Sequence, residues 1–600
     1  MILTLSLLAP LLVASGLVAP ALATSGFDPN TAEHVYNGEE TYTEDGTVHL
    51  WAEIARYRDP DTTLFGPVNY NSETEWPTND YYAPWIATCF GSQKPDTGTF
   101  LLHVGPDIAL ATGTPILFVP GAGDNASRGM ITIASHFDYA LRPVFAITFP
   151  MSEGDVFQQA ELIADAVAVV KARTGATHVD VVSHSKGGIA TAVYLSNQAS
   201  TDWGTTTTAK AYNTVGTAYD GSVRRAVFIA TPLGGIDTAY RWPSGNETSL
   251  TSDTAYSPSS WNTYYPYTSV YPMSAESLSD QDFLPDGKDL FPGQDQLLAR
   301  QTPTLPGDMP WLGTYALQQD WYTTYEGGTG LYSKSDGIDE AVAQGGDLIA
   351  TLHMKGADPS VAIYLMAGEN PLMPASYETM LTSYFGSVYT DALYQGLSAF
   401  STIIATAVGD SLIGVGVSSG EVQGLASGAL VLGEITGPSD GLVFVTSALD
   451  DTALTARGAT ITDTYTANLS HLDLLYASPI TGQLLIDDAG SDSSKAWEVA
   501  VGERYTSEDS IGKVDEWLQD PSVGDTGGDT GTDSGGGDSG VLDSGDTGGN
   551  TGDGDHGGKT PGETGNNPLG CGTCATGGGS PASFGLVGLL AMFSLRRRRN

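Results

Sequence analysis

Between residues 115 and 230, short apolar runs alternate with stretches of helical period. Ile116-Leu117-Phe118-Val119 and Val144-Phe145-Ala146-Ile147 are continuous apolar runs, short enough to read as buried strands. Val156, Ala160, Ile163, Val167 and Val170 then recur at steps of 4, 3, 4 and 3, the spacing of one helix face. Asp155 can cap the start of that helix and Gly175 its end. Val179-Asp180-Val181-Val182 predicts another strand, Ile189–Asn197 a second helix, and Ala226-Val227-Phe228-Ile229 a further strand. The rhythm returns at Val361–Met366. Apolar strands alternating with helices predict an α/β fold, with a mostly parallel sheet covered by helices on both faces.

The rest of the chain lacks this rhythm. Residues 24–110 are polar and aromatic and read as an N-terminal arm of short strands and loops. Residues 111–520 make the main domain, interrupted by insertions at about 235–360 and 371–436. In the first insertion, Trp242, Tyr264, Tyr265, Trp311, Trp321 and Tyr322 read as the core of a cap. In the second, the apolar Leu397–Val408 suits either a lid helix or a buried one. Residues 521–567 repeat Gly, Asp, Thr and Ser and predict a flexible spacer.

The two ends look like targeting segments. Residues 2–23 are almost wholly apolar and end in Ala21-Leu22-Ala23, which predicts a secretory signal peptide over 1–23, although no Lys or Arg precedes the apolar run. Residues 568–600 hold Cys571-Gly572-Thr573-Cys574, the apolar Pro581–Leu595 and the basic Arg596–Arg599. Cys89 is the sole cysteine of the main fold, so no disulfide is expected there. The formal charge of the 600 residues is −45, of which −41 precedes residue 521. That acidity argues against a nucleic-acid partner, because phosphate binding needs a basic face.

Candidate chemistry centres on Val181-Val182-Ser183-His184-Ser185-Lys186-Gly187-Gly188. It approaches the G-x-S-x-G pattern of a nucleophile elbow, with Ser183 in place of the first glycine. A serine hydroxyl needs a base to take its proton, and a sharp strand-to-helix turn to expose it. Val179–Val182 and Ile189–Asn197 supply that strand and helix around Ser185. Two backbone N–H groups should hold the oxyanion: that of Lys186, and one from Pro120-Gly121-Ala122-Gly123, where Ala122 is the expected donor. The Lys186 side chain is expected to leave the turn, solvated or paired with an acid. Of the nine histidines, only 353, 471 and 556 follow Ser185. His556 lies in the spacer and His353 leaves no room for an acid before it, so elimination selects His471 as the base. Asp440 or Glu369, the runner-up, would orient it.

Five segments resemble the α/β-hydrolase fold of bacterial secreted triacylglycerol lipases. They are Val119–Gly123; Arg173–Ala176 with Val179–Gly188; Ala230-Thr231-Pro232-Leu233-Gly234-Gly235; Ser439-Asp440-Gly441-Leu442-Val443; and His471-Leu472-Asp473. Together they frame about residues 115–480. The resemblance implies Ser185 as nucleophile, Asp440 as acid and His471 as base, an ester or lipid substrate, and no required cofactor. Several such lipases carry a structural calcium, whose aspartate ligand two residues after the histidine corresponds to Asp473. The family's further ligands find no match, and Pro120 replaces its usual histidine. An esterase or polyester depolymerase would share the triad, and a non-catalytic surface module could share the fold. The tail resembles the MYXO-CTERM sorting signal, which implies a transient membrane stay, a processing protease and a final place at the cell surface.

Overall fold

The computed structural model describes most of residues 26–37, 51–61, 85–198, 215–237, 338–369 and 440–519, with short pieces at 75–76, 293–301, 328–329 and 334–335. The signal-peptide residues, most of both insertions with their aromatic cap residues and the 397–408 stretch, the spacer, and the tail with Cys571 and Cys574 lie outside the described residues.

The described elements follow the alternation of the sequence. They are β1 (His34–Asn37), β2 (Glu53–Arg58), α1 (Ile86–Phe90), β3 (Thr99–Val104), β4 (Ile116–Val119), α2 (Ile131–Tyr139), β5 (Val144–Thr148), α3 (Val156–Thr174), β6 (Val179–His184), α4 (Lys186–Ser196) and β7 (Val223–Ile229). A small hairpin, β8 (Gly328–Thr329) with β9 (Lys334–Ser335), precedes β10 (Ala362–Gly368) and β11 (Thr460–Ala467). Further helices run Ile338–Gln344, Leu348–Lys355, Pro479–Ala489, Ala496–Ser507 and Ser510–Leu518.

One nine-stranded sheet carries the molecule, in the order β1-β2-β3-β5-β4-β6-β7-β10-β11. From β5 to β11 every pairing is parallel. The segment expected to be an arm contributes β1, β2 and β3, which join antiparallel and extend the sheet beyond β5. Alternate residues of each strand feed two separate cores. Leu117 and Val119 of β4 pack into one with α3 and α4, while Ile116 and Phe118 pack into the other with α1, α2 and the C-terminal helices. Helices therefore cover both faces, as an α/β-hydrolase fold requires.

Helix α3 forms where its caps predict. The Asp155 carboxylate accepts the N–H groups of Phe157 and Gln158, and Gly175 ends the helix at φ 71°, a left-handed conformation that glycine adopts without a Cβ clash. Its apolar stripe is buried, but so are Gln158, Gln159, Glu161 and Asp165 on its polar positions. No described helix is long and apolar enough to cross a membrane.

Candidate active site

The parallel strands place the selected residues at one edge of the sheet. β4 runs into the Gly121–Gly123 loop, β6 ends beside Ser185, and β11 ends shortly before His471. In open α/β sheets this carboxyl edge is where sites are built.

Ser185 stands between the last residue of β6 and the first of α4, at φ 53° and ψ −130°. A side chain held at such angles costs about 1–3 kcal/mol and persists only where its surroundings fix it. Here glycines make the fit. A Cβ on Gly187 would stand 2.3 Å from the Pro120 carbonyl oxygen, and one on Gly188 would stand 1.9 Å from Thr231 Oγ1. Ser183, in the place of the first glycine, fits because it is buried and its hydroxyl donates to the Val227 carbonyl at 3.1 Å. Ser185 itself remains partly exposed, and its hydroxyl has no hydrogen-bond partner among the described residues.

The Gly121–Gly123 loop passes against the elbow. A Cβ on Gly121 would stand 2.9 Å from Ser185 Cβ and 3.1 Å from His184 Nδ1. Only glycine permits that approach, which leaves Ala122 adjacent and half-buried. Lys186 opens α4, so its N–H has no acceptor within the helix.

Asp440 and His471 are brought together. His471 Nδ1 lies 2.8 Å from Asp440 Oδ2, with both side chains buried. Asp440 Oδ1 accepts the N–H groups of Leu442 at 2.9 Å and Val443 at 2.7 Å, and the His471 N–H donates to the Asp440 carbonyl at 3.0 Å. The carboxylate is thus fixed, and the ring's Nε2 has no hydrogen-bond partner among the described residues. Asp440 also packs against the end of β10, since a Cβ on Gly368 would meet Asp440 Cβ at 2.8 Å. The chain beyond the second insertion resumes, at Asp440, beside the end of β10. Glu369, one residue past that strand, is exposed and hydrogen-bonds to neither His471 nor Ser185.

His184 links the elbow to the histidine loop. Its Nε2 donates to the His471 carbonyl at 2.9 Å, and the two rings lie 4.7 Å apart. Burial, with the neighbouring His471 ring, holds His184 well below its ordinary pKa and therefore neutral. Nothing in the sequence pattern singled it out.

The Lys186 side chain departs from expectation. It is wholly buried, forms no ion pair among the described residues, and Nζ donates to Gln159 Oε1 of α3 at 2.5 Å. Burial pushes its pKa down to about 7, against the pull of Asp155 and Glu153. The physical reason is that the buried polar face of α3 leaves it no path to solvent. Lys186→Met keeps the amide and is expected to retain kcat within about tenfold. A loss of about 10²–10³-fold would implicate the ammonium instead. The same variant has a stability signature. Between about pH 7 and the ordinary 10.5, the unfolded chain holds a proton on Lys186 that the native chain lacks, so this group's contribution to stability rises with pH there. Unfolding midpoints measured across that window should rise less in Lys186→Met; parallel curves would contradict the burial.

Asp473 lies within the short turn Asp473–Leu475 and is buried. Its Oδ1 accepts the Tyr505 hydroxyl at 2.6 Å, and burial raises its pKa. It belongs to no described cluster of metal-ligating side chains. Asp473 Oδ2 is buried and accepts no hydrogen bond, but no group of three or more metal-ligating side chains among the described residues includes it, so the described side chains do not assemble the implied calcium site.

Residues 113–223 match the sequence profile of the family described as lipase (class 2). That span holds Ala122, Ser185 and Lys186 but neither Asp440 nor His471. No match was found among curated protein sequences. Among solved structures, the mature lipase BlEst2 of Bacillus licheniformis is similar at 16% identity and a TM-score of 0.27, over 60% of this chain and 86% of that one. The lin2722 product of Listeria innocua is similar at 11% identity and a TM-score of 0.23, over 64% and 96%. A carboxyl esterase of Bacillus coagulans follows at 12% identity and a TM-score of 0.22, over 46% and 77%. The profile match supports a carboxylic ester hydrolase.

Proposed function

We propose that the chain is a secreted serine lipase that cleaves triacylglycerol esters through Ser185, His471 and Asp440. The observation that carries this reading is Ser185 on its strained elbow, where the neighbouring His184 bonds the carbonyl of His471, whose Nδ1 is committed to a buried carboxylate. His471 Nε2 takes the Ser185 proton as Oγ attacks the ester carbonyl. Asp440 holds the ring's orientation and stabilises the imidazolium. The Ala122 and Lys186 N–H groups receive the oxyanion. The imidazolium then protonates the leaving alcohol, and water, activated by the same base, releases the acid from Ser185. Ser185 Oγ has no hydrogen bond to His471 among the described residues, and catalytic bonds of this kind often tighten only when substrate binds. An esterase or polyester depolymerase would use the same groups. A non-catalytic module would not need the Asp440–His471 arrangement.

The apolar N-terminal segment and the tail motivate the location, with the enzyme exported and sorted to the cell surface. One experiment addresses both parts. A host expressing the full chain is fractionated, and each fraction is assayed on p-nitrophenyl esters of graded length and on emulsified triglyceride. Hydrolysis of the emulsion by the surface or medium fraction is the expected result. Activity restricted to short soluble esters would favour the esterase, activity confined to the cytoplasm would contradict the location, and no hydrolysis in any fraction would contradict the function.

A further inference from the structure

Glu161 and Asp165 lie four residues apart on α3, one turn above the other on the same face. Both are buried, at 1% and 3% exposure, in the middle of a helix whose polar positions would ordinarily face water. Asp59, one residue beyond β2 and 2% exposed, completes the group. One carboxylate oxygen from each lies within 4.8 Å of the other two.

The hydrogen bonds around this cluster are uneven. Glu161 is satisfied, with Oε1 accepting the Thr217 hydroxyl at 2.6 Å and Oε2 its N–H at 2.8 Å. Asp59 Oδ1 accepts the Asp61 N–H at 2.8 Å. Asp59 Oδ2 and Asp165 Oδ2, in contrast, are buried and accept no donor from outside the cluster, and the Asp59 and Asp165 carboxyls stand close enough to share a proton. No Lys, Arg or His among the described residues forms an ion pair with any of the three. Burial raises all three pKa values, that of Asp165 furthest, with repulsion from Asp59 and Glu161 adding to it. Buried carboxylates are unfavourable unless a positive charge or a proton answers them.

We propose that Asp59, Glu161 and Asp165 form a structural site for one calcium ion, which ties β2 to α3 and to the loop before β7. Calcium takes oxygen ligands at about 2.3–2.6 Å, so ligands across the ion stand up to about 5 Å apart, and the observed spread fits. Magnesium, at about 2.0–2.1 Å, draws its ligands closer. Backbone oxygens and water complete the calcium shell. None of the three side chains hydrogen-bonds to Ser185, Asp440 or His471, so the site is independent of ester hydrolysis.

Thermal unfolding of the full chain at pH 7.5 tests the proposal, after chelation and after addition of calcium chloride, alongside Asp165→Asn and Asp59→Asn. The chelated wild type is expected to gain about 5 °C or more with calcium at millimolar concentration, and neither variant should respond. Ester hydrolysis by folded Asp165→Asn should stay unchanged. An equal response in the variants would place the ion elsewhere, as in the aspartate-rich spacer, and would overturn the proposal. So would a response to magnesium but not to calcium. A wild type indifferent to calcium, with Asp165→Asn melting above it, would mean that the carboxylates share protons. In that case stability would be present at acid pH and would fall as pH rises through the raised carboxyl pKa values.

Discussion

Ser185→Ala is expected to lower kcat on a soluble ester by about 10⁶-fold, and His471→Ala by as much, because the two act as one unit. In the proposed mechanism the Ser185 oxygen forms the acyl bond and His471, held through Nδ1 by Asp440, takes its proton. The elbow should survive the serine substitution. Alanine removes only Oγ, which holds no described hydrogen bond, and keeps the Cβ that already fits against Gly121. Binding and the oxyanion donors remain, so a residual rate above that of water is expected. Circular dichroism and the unfolding midpoint would confirm that Ser185→Ala is folded. Near wild-type turnover by that folded protein would rule out the mechanism.

The second large effect separates two carboxylates. Asp440→Ala is expected to cost about 10⁴-fold in kcat, less than loss of the serine, since an acid that orients the base is less costly to remove than the base itself. Glu369→Ala should leave kcat within about tenfold. Asp440 is fully buried, bonds His471 Nδ1, and is held by two backbone N–H groups. Glu369 is exposed at the end of β10, and its described tie is its N–H to the Ala467 carbonyl. Steady-state kinetics on both variants decide between them. If Glu369→Ala proved the more damaged, the Asp440–His471 pair would be structural and the acid assignment wrong.

The elements most legible in the sequence are those buried on two sides. β4 and most of β5 are continuous apolar runs, and β6 and β7 carry long apolar stretches, because both faces of each strand meet a core. The bounds of α3 could be read from Asp155 and Gly175, since caps are local chemistry. β11 was not evident. As an edge strand, its residues alternate between exposed and half-buried, so Thr460–Ala467 shows no apolar run. β3 is fully buried around Phe100, Leu101 and Leu102, yet it lay hidden in a segment whose overall composition is polar. Ser185 could be read from its strand-turn-helix frame. The preference for Asp440 over Glu369 rested on its loop and on the resemblance, whereas its place against Gly368 at the end of β10 is a tertiary fact. The burial of Lys186 and the pairing of His184 with the His471 carbonyl are tertiary facts with no local signal. The same holds for the Asp59–Glu161–Asp165 cluster, whose members are 102 residues apart in the case of Asp59 and Glu161.

The central claim is that Ser185 Oγ becomes acylated during turnover. It is tested most directly by treating the full chain with a p-nitrophenyl alkylphosphonate and locating the adduct by peptide mass spectrometry. The phosphonate traps the serine that attacks it and mimics the tetrahedral intermediate. One adduct per chain on the peptide containing Ser185, rising in step with loss of ester hydrolysis and absent from Ser185→Ala, is the result expected. Complete inactivation with Ser185 unmodified, or with the adduct on another residue, would contradict the account.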